Sequence, residues 1–150
     1  CEPRLPGAGD LMLAVTDAVI AAQNAVVAAE SLGIGSCYIG DIMENCEEQR
    51  RLLNLPEYVF PAAMLVFGWP TQQQKERQKP QRCKRKYIVH ENTYHRMNGE
   101  ELREMFAHQC QNRSFEEWCQ AFCQRKYNSD FSREMTRSVE KYLNQFQKTE

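Results

Sequence analysis

Positions 10–32 contain no glycine or proline, and their polar residues fall in pairs, Thr16/Asp17, Gln23/Asn24 and Glu30/Ser31, seven positions apart. Seven residues are close to two helical turns, so the pairs line up as one narrow polar stripe and predict a long helix. The rest of that surface is apolar and rich in alanine, at 14, 18, 21, 22, 25, 28 and 29, where neighbouring backbones can come close. A helix apolar on most sides belongs in an interior, and this one is read as central and mostly buried. Asp10 is placed to cap its start; Gly33 can take the left-handed conformation that stops it, and Gly35 allows a further turn. Residues 36–40 read as a short strand.

A second, short helix is expected over 47–53, with Asn45 as its cap, Glu47 and Glu48 at the positive end of its dipole, and Pro56 beyond its end. The run YVFPAAMLVFGW, 58–69, is nearly all apolar and rich in β formers, as in a strand covered on both faces, with Pro61 at its entry. The order helix, strand, helix, strand favours a sheet with helices packed against it. Residues 71–86, TQQQKERQKPQRCKRK, then lose every large apolar side chain and hold seven of the nineteen basic residues, which marks a surface loop. Mild β character returns over 87–94. Helical spacing follows at Leu102, Met105, Phe106 and Cys110, again at Phe115, Trp118, Cys119, Phe122 and Cys123, and finally from Phe131 through Met135, Val139, Tyr142 and Phe146. Ser114 and Glu117 have capping-box spacing, so the middle part is two helices and the tail a helical appendage.

The 150 residues suit one domain, and a net charge of −1 gives no bulk field for nucleic acid or a membrane surface. No unbroken apolar run reaches the roughly 18 residues of a bilayer span, and no signal peptide is visible at the start. Seven cysteines, an odd number with no C-x-x-C, together with scattered histidines, argue for free thiols in a reducing cytoplasm and against metal ligation. The start at Cys1, without a methionine, suggests a chain cut from something longer.

Side-chain catalysis finds little footing: there is no G-x-S-x-G, and Cys37 has no cue for an activating base. No catalytic residue is therefore assigned, and a bound cofactor is expected to carry any reaction. Two features remain. The stretch GIGSCYIGD, 33–41, sets glycines around a strand, where a planar or phosphorylated ligand could approach backbone amides, although Gly33 already serves as a helix stop. The basic loop could clamp phosphate, contact nucleic-acid backbone or simply be solvated; Pro80 within KPQR singles out Lys79 and Arg82 as a preorganised pair.

Taken together, AVTDAVIAAQNAVVAAESLGIGSCYIGDI, LLNLPEYVFPAAMLVFGWP, KPQR and IVHENTY resemble the nitroreductase family, in its oxygen-insensitive nitroreductase and flavin reductase branch. The likeness runs from Asp10 to about Tyr94, and FEEWCQAFCQRKYNSDFS resembles a helical extension found in part of the family. It implies an α+β fold of helix, sheet and helix layers, with residues 1–95 as the C-terminal part of the core and 96–150 as the extension. It further implies a cytoplasmic homodimer sharing two FMN sites and a ping-pong transfer of hydride from NAD(P)H to a nitroaromatic, quinone or flavin. By position, Tyr38, Ile39, Gly40 and Asp41 correspond to the family's strand end beside the isoalloxazine. Lys79 and Arg82 correspond to its basic pair at the phosphate and ribityl end. Asp41 stands where many relatives have a second glycine, and a carboxylate near the flavin would disfavour its anionic reduced state unless it points away. The family's upstream segment, with an Arg-Ser-x-Arg type motif, is not in this sequence, so the chain is expected to fold with that missing piece and to be inactive alone. A non-catalytic flavin- or partner-binding module is the alternative, and nucleic acid and membrane are not expected partners.

Overall fold

The structure, a computed structural model, describes residues 2–110 and 112–147; Cys1 lies outside them. It has two compact units. One comprises the residues up to Glu76 together with those from Asp130 onward, and the other is Arg77–Ser129.

In the first unit, α1 spans Ala8–Ser31. The helix starts earlier than read, with Gly7 and not Asp10 as its N-cap; Asp10 acts from the first turn instead, its Oδ2 accepting the Gly7 amide at 2.8 Å while Arg4 grips the same carboxylate at 2.6 and 3.0 Å. That bidentate pair, followed by the amide, holds the Asp10 carboxyl down at about 2. Gly33, at φ 78°, terminates the helix as expected. The expectation of a mostly buried helix is corrected, because among the described residues of α1 Leu11 alone is buried and Leu13 is 69% exposed. The stripe of polar pairs is present, but the described residues supply no layer to cover the opposite faces. By length and composition α1 is also long and apolar enough to cross a membrane, a property that core helices of soluble proteins share. Counting unbroken apolar runs misses this, since Asp17 and the Gln23/Asn24 pair interrupt them.

Strand β1, Gly35–Ile39, pairs antiparallel with β2, Met64–Gly68, setting Gly35 opposite Gly68 and Ile39 opposite Met64. The second strand is shorter than its apolar run. Tyr58 sits at φ 59° and Pro61 offers no donor, so the ladder begins three residues beyond the proline. Nor is β2 covered on both faces, for Met64, Val66 and Phe67 are each more than 40% exposed and none of its residues is buried.

Helix α2, Cys46–Leu53, lies within a residue of its expected span, but Asn45 does not cap it with its side chain. Asn45 is left-handed, at φ 50°, and the open amides are met from α6, Asp130–Leu143. Glu134 Oε1 accepts the Asn45 amide at 3.0 Å and Ser138 Oγ accepts that of Cys46 at 3.0 Å. Glu47 of α2 in turn binds Arg137 and Lys141. Here α6 also provides the core, with Ser138 and Tyr142 fully buried against Cys46, and with Phe60 and Tyr58 edge-on to Tyr142 and Phe146. A five-residue helix, α3, Gln72–Glu76, closes the unit.

This clamp makes the first unit acid-sensitive. Arg137, then Ser138 and the Asn45 amide, hold the Glu134 carboxyl at about 2, below the usual glutamate value of about 4.3. A depressed carboxylate stabilises the fold in full above its unfolded pKa, and that contribution disappears as pH falls towards the folded value. Stability should therefore decline between about pH 5 and pH 2, and Glu134→Gln should flatten that decline in acid titrations followed by circular dichroism.

The second unit contains the basic segment from Arg77 onward, α4, Gly99–Cys110, and α5, Phe115–Lys126. The capping box at α5 forms as read: Ser114 Oγ accepts the Glu117 amide at 3.1 Å and Glu117 Oε2 accepts the Ser114 amide at 2.8 Å. Phe106 and Phe122 stack on Trp118 with ring centres 4.7 and 5.2 Å away, which joins the two helices. Burial pushes the Cys119 thiol up, which disfavours its thiolate, and the six described cysteines form no disulfide. The mild β character of 87–94 does not become a strand. A 3-10 turn at Arg85–Tyr87 and a left-handed Asn92, at φ 62°, divert the backbone.

Candidate functional site

The end of β1 runs directly into a 3-10 turn, Asp41–Met43. The structure thus brings Tyr38, Ile39, Gly40 and Asp41 together at one corner of the first unit, with Asp41 exposed. The Tyr38 hydroxyl donates to Gln23 Oε1 at 3.4 Å, so the polar stripe of α1 reaches this corner.

Gly40 is informative because nothing in the backbone requires it. Its φ of −81° and ψ of −18° are ordinary right-handed values, and a Cβ there would meet Met43 Cε at 3.7 Å, a normal contact. Gly33 owes its glycine to its backbone angle; Gly40 does not. Among the described residues, and outside the strand ladder, the amides of Gly40 and Asp41 donate to no acceptor. Open N–H groups beside a side-chain-free position can receive an acceptor atom of a flat ligand. Met43 was not singled out from the sequence; a glycine at a strand end with backbone amides open to a ligand was the visible signal, and conformation alone separates a turn glycine from a ligand glycine.

Lys79 and Arg82 lie in the other unit, on an irregular exposed stretch between α3 and the turn at Arg85–Tyr87. The basic segment is exposed, as expected, although Gln72–Glu76 within it is a short helix and not loop, and its cations differ in availability. Lys84 binds Glu104 at 2.9 Å and Lys86 binds it at 2.9 and 3.1 Å. The Tyr87 hydroxyl, then Lys84 and Lys86, hold the Glu104 carboxyl at about 2, although the phenol oxygen itself, buried, completes no hydrogen bond among the described residues. Lys79 and Arg82 form no ion pair among the described residues and stay open to an anionic ligand.

Residues 3–69 match the Nitroreductase family. An oxygen-insensitive NADPH nitroreductase from Salmonella typhimurium is 38% identical over 93 residues, 62% of this chain and 38% of that protein. An FMN reductase (NAD(P)H) from Bacillus subtilis is 32% identical over 136 residues, 91% of this chain and 50% of that protein. The solved structure of B. megaterium NfrA1 aligns with a TM-score of 0.68 at 31% identity, covering 92% of this chain and 58% of that one. The chain therefore spans half or less of the length of these two curated relatives. The two-stranded sheet with its flanking helices is an α+β arrangement, and by fold and matched sequence the chain belongs to the nitroreductase family.

Proposed function

We propose that the protein carrying this chain is an FMN-dependent oxidoreductase. It takes hydride from NAD(P)H and passes it to a small acceptor such as a nitroaromatic, quinone or flavin, in two ping-pong half-reactions. The observation that carries this reading is Gly40, a glycine its own backbone does not need, within the family-matched block and beside two open amides. Each group of residues, taken within its own unit, has the chemistry that one end of the cofactor needs. The strand end from Tyr38 to Asp41 would lie along the ring system, with the Gly40 and Asp41 amides available to a ring nitrogen. Lys79 and Arg82 would hold the phosphate and ribityl end. When bound, FMN supplies the two-electron chemistry; these residues position it and keep water from one side of it.

In this reading the described residues to 95 are part of the flavin core and those from 96 a helical extension of the same domain. The protein works as a cytoplasmic homodimer, consistent with free thiols and with the uncovered apolar faces of α1 and β2, which a partner subunit and the remaining part of the fold would bury. The test is visible flavin absorbance that bleaches on addition of NAD(P)H and recovers with a quinone. Flavin that binds but never bleaches would instead identify a non-catalytic module.

The loop provides a sharper test. Arg82→Ala should weaken FMN binding by about tenfold or more, the worth of one charge-assisted hydrogen bond of about 1.5–3 kcal/mol. Lys86→Ala should have little effect, because that ammonium is already committed to Glu104. Fluorescence titration of FMN decides, and equal affinities for the two variants would remove the basic pair from the site.

A further inference from the structure

In the Arg77–Ser129 unit, Trp118, Ala121, Phe122 and Arg125 fall at spacings of three and four on α5 and so share one face of it. Together with Arg113, from the turn before the helix, they line a half-enclosed hollow. Its base is rigid, since Trp118 is held in the stack with Phe106 and Phe122 that joins α4 to α5. Ala121 is exposed and too small to fill the space between Trp118 and Arg125.

The two guanidiniums bordering the hollow are uncompensated. Among the described residues neither Arg113 nor Arg125 forms an ion pair, and the two carboxylates that open α5 are engaged elsewhere. Glu116 binds Arg103, and Glu117 accepts the Ser114 amide at 2.8 Å and its hydroxyl at 3.0 Å, feeling Arg113 as a weaker, longer-range attraction.

We propose that this hollow binds a planar aromatic ring that carries an anionic group. The ring packs on the accessible parts of Trp118 and Phe122, over Ala121, and the anion is shared by Arg113 and Arg125, whose planar forks suit phosphate or carboxylate. Two sources offer this chemistry, a nucleoside monophosphate and an aryl carboxylate. The site is independent of the flavin reading, and its failure leaves that reading untouched.

The experiment titrates the intact chain in a Trp69→Phe background, so that the fluorescence reports on Trp118. The probes are adenosine 5′-monophosphate and benzoate, with adenosine and ribose 5-phosphate as the ring and the anion taken singly. Saturable quenching by either full probe, at least tenfold stronger than by the two controls, is expected. Saturation by the monophosphate alone assigns the nucleotide source, and saturation by benzoate assigns the carboxylate. Ala121→Leu should fill the hollow and abolish the quenching, and Arg125→Ala should weaken it at least tenfold, both with unchanged circular dichroism. Absence of saturation by both full probes, or equal affinity in these two variants, would overturn the site.

Discussion

Gly40→Ala is expected to leave the chain folded while lowering FMN affinity at least tenfold. The two halves of this result have separate causes. Alanine is at home at φ −81° and ψ −18°, and its methyl would make a normal contact with Met43, so the fold gains up to about 0.4–1 kcal/mol through a less flexible unfolded chain. A ligand that approaches the Gly40 and Asp41 amides meets the same methyl as an obstacle. Thermal melting paired with FMN titration measures both. A variant that binds as tightly as the parent would place the flavin elsewhere, whereas a destabilised variant would mean that the chain itself needs the glycine.

The other large effect is on stability. Tyr142→Ala should cost about 3–5 kcal/mol, as for other large aromatic truncations in a core, against a total net stability of about 5–15 kcal/mol. Tyr142 is fully buried, edge-on to Phe60 with ring centres 5.3 Å apart, beneath the Arg50 guanidinium at 4.8 Å, with its hydroxyl donating to the Cys46 carbonyl at 3.4 Å. Removing it separates α6 from α2, and the amides of Asn45 and Cys46 then lose Glu134 and Ser138. Phe131→Ala, on the same helix but 49% exposed, should cost less than half as much. Urea denaturation distinguishes them; similar midpoints for the two variants would show that α6 does not carry this core.

Local order was legible wherever neighbours in sequence decide it. The seven-residue polar spacing and Gly33 define α1, Ser114 and Glu117 build their capping box, and the abrupt loss of apolar residues after Trp69 marks the exposed basic segment. Of the candidate site, Gly40 and the pair Lys79/Arg82 were visible as residue types in suggestive places. What could not be read was which cations are free, because Glu104, the residue that occupies Lys84 and Lys86, is eighteen positions beyond the nearer of them. The cap of α2 was hidden for the same reason: Asn45 is the usual residue for the task, yet Glu134 and Ser138, about ninety positions away, perform it.

The sequence by itself thus determined the α-helices other than α3, the two strands, the family likeness and the residue types at the strand end, since these depend on periodicity, caps and short motifs. The tertiary structure alone decided that α6 returns to form the core of the first unit, that Gly40 is a glycine without a backbone reason, and that α1 keeps its apolar faces uncovered within this chain. The physical reason is common to all three. Burial, hydrogen-bond partners and free space are set by residues far apart along the chain, and no local pattern encodes which distant surface will arrive.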